Sequence, residues 1–293
     1  MKKSGYGILL IVGASALYGF IPTITKQLLD AGAGSLTLQL LTNFVALIVV
    51  AAILRIRSVN VRINVSQGIR IFLLGAVPLQ ATFLLLSTAY LVLPAGIVTM
   101  LHFIYPVLTM LAMTFFFREK MTLAKLAAIA CALIGVGLIA NPLGGGTVAS
   151  SGVIFALLSG VAYCVFVISN SRSRYSNMDI FVVMFWIFAF SVAGYCIYRL
   201  VTGRLIIGQS LDKWYFFLAI GVMTVVALML FTSGVRRLGA TDAAIVNLLE
   251  PVVSVVLSVL VYRDQLSSGI LGGCFLIVVS VFIVTMQNRI RNE

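Results

Sequence analysis

The sequence predicts an all-α, polytopic membrane protein whose ten transmembrane helices form two inverted five-helix repeats around a central cavity. Three observations carry this prediction: the composition, the lengths of the apolar segments and a match of the chain with itself. Of the 293 residues, 61% are hydrophobic and 10% are charged, and the mean hydropathy is +1.15. Because soluble domains are only about half apolar, this composition excludes an ordinary soluble fold.

The apolar segments have the length that a membrane-spanning helix needs. About 20 mostly apolar residues cross the hydrocarbon core as a helix, and such segments recur between short polar connections. The predicted spans cover residues 6–28, 35–54, 69–90, 95–117, 122–140, 151–170, 179–198, 214–234, 240–261 and 267–286. The first resembles a cleavable signal peptide, because Lys2 and Lys3 precede it. We retain it as a span because its repeat partner is internal.

The middle of the chain contains the sequence least compatible with a helix. Residues 141–150 include Pro142 and the consecutive glycines 144–146, which end helices and favour loops. This segment predicts a linker between a first five-helix domain, residues 1–140, and a second, residues 151–293.

The two predicted domains match each other at a constant offset of 145 residues. The shift places Tyr18 on Tyr163, Pro106 on Pro251 and Arg118 on Arg263 without a gap. Matched prolines, arginines and tyrosines are stronger evidence of a repeat than matched leucines, because leucines match easily by chance in an apolar sequence. Since five is an odd number, the second copy must enter the membrane in the opposite sense, as in transporters built from inverted repeats.

The formal charge of +12 acts as a topology signal, since the basic residues lie in short loops between apolar segments. Both termini in the cytoplasm would place all but five of the 20 basic residues inside, as the positive-inside rule requires. The exceptions are Lys26, Arg199, Arg204, Lys213 and Arg263. We therefore expect a multi-pass protein of a bacterial inner membrane that does not bind nucleic acid.

Two duplicated motifs connect this architecture with a known family. Residues 104–108 (IYPVL) precede 117–120 (FREK), and residues 249–253 (LEPVV) precede 262–265 (YRDQ). Over roughly 7–140 and 152–285, the chain resembles the EamA family of the drug/metabolite transporter (DMT) superfamily. The resemblance implies secondary transport of a small amphipathic metabolite by alternating access, with export favoured. Amino acids, amines and drug-like solutes are among the substrates that it implies.

Glu250 is the strongest single candidate for a site residue. It lies about ten residues into the ninth predicted span, near the bilayer midplane. A charge there costs about 2.5 kcal/mol or more on insertion scales and usually faces a cavity or a partner. Pro251 removes a backbone donor beside it and is expected to loosen the helix. The alternative is a carboxyl retained only for packing.

Other candidates follow from the repeat and from aromatic residues within spans. His102 and Tyr105 match Asn247 and Glu250 and would flank the pseudo-two-fold axis, where such transporters hold substrate. The candidate substrate-binding residues are Tyr18, Tyr90, His102, Tyr105, Tyr163, Trp186, Asn247 and Glu250. Rings beside one acid would suit an amine, a quaternary ammonium or an aromatic amino acid. The alternatives are a histidine bonded only to a neighbouring helix and tyrosines that anchor span ends.

The sequence contains no P-loop, HExxH or GxSxG pattern and one histidine. We therefore predict no catalytic residues, no metal site, no cofactor and no ATP hydrolysis. The expected partners are a small-molecule substrate, the lipid bilayer and protons as a candidate coupling ion, with the chain a monomer or weak dimer. An uptake carrier for an organic cation such as choline, a lipid-modifying membrane enzyme, a channel and a scaffold stay open. The first, third, fourth, sixth, eighth and ninth spans are expected to bound the cavity.

Overall fold

The computed structural model describes residues 3–93, 95–140, 150–202, 212–257 and 268–291, and these residues form helices joined by short connections. The predicted linker, apart from Ser150, and the motif at 262–265 lie outside them. The α-helices are α1 Lys3–Asp30, α2 Ser35–Ile56, α3 Val65–Ile71, α4 Val77–Val92, α5 Ala95–His102, α6 Tyr105–Phe117, α7 Leu123–Ala140, α8 Ser150–Arg172, α9 Ile180–Thr202, α10 Trp214–Leu238, α11 Ala240–Val246, α12 Glu250–Leu257 and α13 Ser268–Arg291. A π-helical turn, Phe72–Ala76, joins α3 to α4.

The lengths and apolar composition of the helices confirm the predicted fold class. Eight helical stretches of the described chain are long and apolar enough to cross a bilayer: Gly5–Asp30, Ser35–Ile56, Val65–Val92, Ile97–Phe117, Ser150–Arg172, Ile180–Thr202, Trp214–Leu238 and Ser268–Gln287. Leu123–Ile139 is a shorter apolar helix. The ninth predicted span is helical as far as residue 257, where the described part ends. Each of the ten predicted segments therefore contains helix where the structure describes it.

The third span begins earlier than the sequence predicted, at Val65 instead of residue 69. Asn64 caps this helix, because its side chain accepts from the Gln67 backbone N–H at 2.8 Å. The Gln67 side chain accepts from the Asn64 N–H at 2.9 Å in return. This capping box satisfies two backbone donors that a helix start leaves unpaired.

The repeat is visible in where helices begin. Tyr105 and Glu250 start α6 and α12, and they are separated by the offset of 145 residues found in the sequence. The fourth and ninth spans, predicted as continuous, are both interrupted at equivalent positions. A two-residue turn at 103–104 separates α5 from α6, and a 3₁₀ turn, Asn247–Leu249, separates α11 from α12.

Prolines explain both interruptions. Pro106 and Pro251 are the second residues of α6 and α12, where a missing N–H costs nothing because the first turn has no intrahelical acceptor for it. In a continuous helix the same ring would clash with the preceding turn and remove a hydrogen bond. The chain therefore restarts its helix at Tyr105 and again at Glu250.

One end of the bundle, which we call the ion-pair end, is closed by charged residues from both halves. Lys125 of α7 lies 2.8 Å from Asp242 of α11 and 2.7 Å from Glu119 in the α6–α7 connection. Lys125 and Asp242 are almost fully buried, with side chains 4% and 2% exposed. Arg57 and Asp179 form a further, more exposed pair at 3.3 Å.

Small residues allow the equivalent helices α7 and α13 to pack closely across the two halves. A Cβ added to Gly135 would lie 2.6 Å from the carbonyl oxygen of Gly273. Without a hydrophobic driving force between helices in lipid, this kind of close backbone approach provides much of the packing energy. The α7–α13 contact therefore joins the first half to the second independently of the ion pairs.

Candidate functional site

A cavity of about 90 Å³ lies between the two halves, towards the end of the bundle opposite the ion pairs. It is lined by Tyr18, Ile21, Pro22, Thr25, Leu38, Gln39, Thr42, Asn43, Thr82, Phe83, Leu86, Ser87, Tyr90, Thr99, His102, Tyr163, Phe188, Ile220, Thr224 and Glu250. These residues come from all six spans that the sequence nominated. The second and seventh spans contribute as well, which the sequence analysis did not anticipate.

Glu250 is the one charged residue among those that line this central cavity. It begins α12, directly after the 3₁₀ turn, so its side chain projects from an interrupted helix. The side chain is partly buried, and no salt bridge joins it to a cationic residue of the described chain. Its carboxylate therefore has no compensating protein cation there, and Asn247 Nδ2 donates to its Oε2 at 3.4 Å.

Asn247 connects Glu250 to a buried hydrogen-bond network. The Asn247 amide also donates to the Tyr105 hydroxyl at 3.1 Å, and its Oδ1 accepts from Ser15 Oγ at 3.0 Å. Ser15, Tyr105 and Asn247 are each at most 1% exposed. The Asn247 NH₂ group faces Tyr105 and Glu250, the orientation in which a carboxylate, which only accepts, can bond to it. Asn247 and Tyr105 thus support Glu250 from behind the cavity wall.

His102 of the first half also lines the central cavity. It occupies the position that Asn247 occupies in the second half. Its Nδ1 lies 2.9 Å from Ser159 Oγ, while the Ser159 hydroxyl donates to the Ala156 carbonyl at 2.6 Å. A hydroxyl has one proton, so Ser159 accepts from Nδ1–H of the neutral imidazole. This arrangement leaves Nε2 of His102 as an acceptor.

Aromatic rings fill the space between these two polar groups. The Tyr163 ring meets the Tyr105 ring edge to face, with centroids 4.7 Å apart, and lies 5.5 Å from the His102 ring. Phe231 lies 5.7 Å from Tyr163 and 6.1 Å from Tyr18. The faces of such rings are electron-rich and attract a cation, and the rings as a whole offer an apolar surface to a hydrocarbon group.

The structure separates Trp186 from the other candidates. Trp186 is not among the lining residues; its Nε1 donates to the Val61 carbonyl at 2.8 Å and fastens the α2–α3 connection to α9. Phe188, two residues further along the same helix, lines the cavity instead. Residues two positions apart in a helix point in directions that differ by about 200°. The sequence analysis therefore assigned the wrong face of α9 to the cavity. Tyr90 does line it.

A polar stripe on α2 is the feature that the sequence analysis missed. Gln39, Thr42 and Asn43 all line the cavity, and their spacing of three and four residues places them on one helix face. Such polar residues in an otherwise apolar span are a signal readable from sequence alone. Hydroxyls of Thr82, Ser87, Thr99 and Thr224 add to the polar lining.

Comparisons with known proteins agree with this architecture. The family model described as the EamA-like transporter family matches residues 5–141 and again residues 150–286. A curated relative from Bacillus subtilis (strain 168), named "Uncharacterized transporter YvbV", is 25% identical over 204 residues, 67% of this chain and 65% of the relative. The chain thus matches just under two thirds of that relative's length. A protein of known crystal structure aligns with a TM-score of 0.79 at 20% identity, covering 98% of this chain and 99% of the other, which shows the shared fold.

Proposed function

This chain belongs to the EamA-like transporter family and is a membrane transporter; on that premise, we propose that it carries small amphipathic metabolites with a cationic group. Amines, amino acids and drug-like cations are the classes proposed. The observation that supports this choice is Glu250, the one charged side chain in the lining of the central cavity. The rest of that lining is aromatic, aliphatic and uncharged polar.

Electrostatics favour a cationic solute over an anionic one. A carboxylate in a poorly solvated cavity interacts much more strongly with an opposite charge than it would in water. The rings of Tyr18, Tyr163 and His102 surround the same space, and a cation over an aromatic face gains about 0.5–2 kcal/mol. Hydroxyl and amide groups on α2 and α4 can bind the polar part of the solute.

Alternating access would operate between the two ends of the bundle. The cavity lies towards one end, whereas Lys125, Glu119 and Asp242 close the other. The preponderance of basic residues near the ion-pair end favours a cytoplasmic location for it, in a bacterial inner membrane with both termini inside. The cavity then faces the outside of the cell, and the transport cycle must separate Lys125 from Asp242.

Glu250 also provides a means of coupling. One carboxylate can bind a solute cation or a proton, and binding of one displaces the other, so that export of a cation accompanies inward movement of a proton. Export is proposed on the family resemblance. Uptake of a quaternary ammonium such as choline is the second candidate, because the same acid and rings would bind it.

Transport by Glu250→Gln in reconstituted vesicles tests this proposal. A panel of amines, amino acids and choline is first screened with the native protein. We expect Glu250→Gln to fold and insert normally and to lose at least about tenfold in transport rate, about 1.4 kcal/mol, together with its pH dependence. The amide retains size and hydrogen bonding but cannot exchange a proton for a cation.

Asp30→Asn is the matched control, since it removes a carboxylate that pairs with Lys26 outside the cavity. It should transport like the native protein. Unchanged rate, affinity and pH profile in Glu250→Gln would contradict the role of this acid and direct attention to His102 and the rings. Absence of flux for the whole panel would favour the enzyme or scaffold alternative.

A further inference from the structure

A second and larger cavity opens sideways from the bundle. This lateral groove, of about 720 Å³, is lined by Gly34, Ser35, Leu36, Thr37, Phe72, Ala76, Val77, Gln80, Ala81, Leu84, Thr88, Leu91, Phe190, Ser191, Gly194, Tyr195 and Tyr198. It lies between α2, α4 and α9, which span the membrane. Phe72, Val77 and Leu91 are each roughly half exposed along it, so the groove faces lipid.

One pair of amides separates the lateral groove from the central cavity. Asn43 lines the central cavity and Gln80 lines the groove. Asn43 Nδ2 donates to Gln80 Oε1 at 3.0 Å, and Gln80 Nε2 donates to Asn43 Oδ1 at 2.8 Å. From α9, the Tyr195 hydroxyl also donates to Gln80 Oε1 at 3.2 Å. The wall between water-accessible and lipid-accessible space is therefore polar at this point.

A polar wall behaves differently from an apolar one when a solute crosses it. Separating two leucines leaves nothing for an ammonium or hydroxyl to bind, whereas separated amides can bond to the passing group in place of each other. Buried amides must be hydrogen-bonded in the membrane, and interhelical hydrogen bonds there are individually weak. The Asn43–Gln80 pair is thus stable when closed and can exchange its bonds for those of a polar solute.

The helix that carries Gln80 is irregular just before this residue. The π-helical turn Phe72–Ala76 widens the backbone, and Pro78 lacks the N–H that would continue the hydrogen-bond ladder. Such π-helical turns occur frequently at functional sites. Phe72 and Ala76 belong to the groove lining themselves, so the irregular turn lies at the groove and can absorb a displacement of Gln80 away from α2.

The far end of the groove is suited to a polar group. Ser35, at the start of α2, has a buried hydroxyl without a hydrogen-bond partner among the described residues, and it lines the groove. Thr88 and Tyr198 lie in the same lining near the helix ends. An amphiphile dissolved in a bilayer holds its polar group at this level and its apolar part deeper, which is the arrangement that the groove offers.

We propose that the lateral groove is an access site for organic cations dissolved in the bilayer and that the Asn43–Gln80 pair is the door between it and the central cavity. The proposal rests on the proposed function, because the class of solute follows from Glu250. It adds a route: a cation with a long apolar group reaches Glu250 from the lipid, whereas a small hydrophilic cation reaches it from water.

Two cations with the same head group test the route in vesicles: tetramethylammonium, which stays in water, and decyltrimethylammonium, which dissolves in the bilayer. Leu84→Trp fills the groove outside the door. We expect it to reduce transport of the decyl compound at least tenfold and to leave tetramethylammonium within twofold of the native rate. Leu158→Trp makes the same change at a lipid-exposed position outside the groove and should affect neither cation.

An equal loss for both cations, or no loss for either, would overturn the route. If Leu84→Trp does not fold, Ala81→Phe fills the groove from the next turn of α4 and replaces it in the experiment. Failure of the native protein to carry either cation would instead count against the proposed function, which makes the two failures distinguishable.

In that case a substrate-independent measurement tests the door. Phe83→Trp places a fluorophore in the central cavity of a protein in which Trp186 and Trp214 are replaced by phenylalanine, and brominated phospholipid serves as the quencher. Gln80→Ala should at least double the quenching, and Ala81→Phe should reverse the increase. Equal quenching in all three proteins would overturn the door.

Discussion

The fourth and ninth spans are equivalent in the repeat and are interrupted at the same register, yet they present different chemistry. The first half places His102 and Tyr105 at its interruption, and the second half places Asn247 and Glu250 there. The prolines that follow are shared, so the backbone is symmetric, whereas the acid occurs once. The two halves thus form one scaffold, and the one charged side chain in the lining of the central cavity belongs to the second half.

The hydrogen bonds that support the two interrupted helices are also related by the repeat. Ser159 of α8 bonds to His102, and Ser15 of α1 bonds to Asn247, so the first helix of each half supports the interrupted helix of the other. The ion-pair end breaks the symmetry again. In the repeat, Lys125 and Asp242 correspond to Ile270 and Ile97, so the positions equivalent to the buried ion pair are apolar.

Breaking the ion pair should have the largest effect on stability. Lys125→Met leaves Asp242 buried without its lysine, and removing one partner of a buried pair costs about 3–5 kcal/mol. Ile270→Val, at the equivalent position of the other half, should cost only about 0.5–1.5 kcal/mol. Denaturant unfolding in detergent micelles measures both.

The double variant Lys125→Met with Asp242→Leu is the control, because it removes both charges. It should recover most of the stability that Lys125→Met loses. If Lys125→Met unfolds like the native protein, the pair does not stabilise the ion-pair end, and the asymmetry between the halves would have no energetic consequence there.

The crossing of the equivalent helices α7 and α13 should give an intermediate effect. Gly135→Ala would push a methyl group against the Gly273 carbonyl, since the added Cβ would lie 2.6 Å from that oxygen. Overpacking of this kind costs about 1–3 kcal/mol, and we expect a corresponding fall in thermal unfolding temperature. Gly137→Ala, whose Cβ would lie 3.7 Å from Met100 Cε, should be tolerated. Equal effects at the two glycines would show that the halves do not meet closely at Gly135.

The two serines should give the smallest effect and the finest distinction between the halves. Ser15→Ala removes a hydrogen-bond partner of the Asn247 amide, and one such hydrogen bond is worth about 1 kcal/mol, or roughly fivefold in apparent KM. Ser159→Ala removes the partner of His102. Because a neutral imidazole attracts a cation less than the Glu250 carboxylate does, this variant should change KM less than twofold. Transport kinetics at several pH values compare the two variants. Equal changes would mean that both interrupted helices contribute equally to binding.

Hydropathy and the repeat predicted most of the fold. Lipid cannot hydrogen-bond to the backbone, so an apolar segment of about 20 residues has few alternatives to a helix. The interruptions were indicated by Pro106 and Pro251 without being predicted. A proline identifies where a helix is weak, but whether it bends or restarts depends on neighbours such as Tyr105 and Asn247, which meet only in the folded chain.

The position of a candidate residue in the central cavity was predictable where its burial alone is costly. Glu250 stands out in sequence because a lone acid in an apolar span needs a cavity or a partner, and its place in the central cavity fits that expectation. Trp186 illustrates the opposite case. Its span is apolar on every side, so the sequence does not determine how α9 is rotated, and packing directs Phe188 to the cavity instead.

The sequence by itself determined the membrane-spanning helices, the duplication with its inverted sense, and the presence of one acid within the ninth span, because each depends on local polarity and spacing. Only the tertiary structure decided which residues meet. Lys125 and Asp242 are far apart in the chain and become an ion pair at 2.8 Å, and Asn43 meets Gln80 across two helices. Such contacts depend on the rotation and crossing of rigid helices, which small residues and hydrogen bonds determine only once the helices have packed.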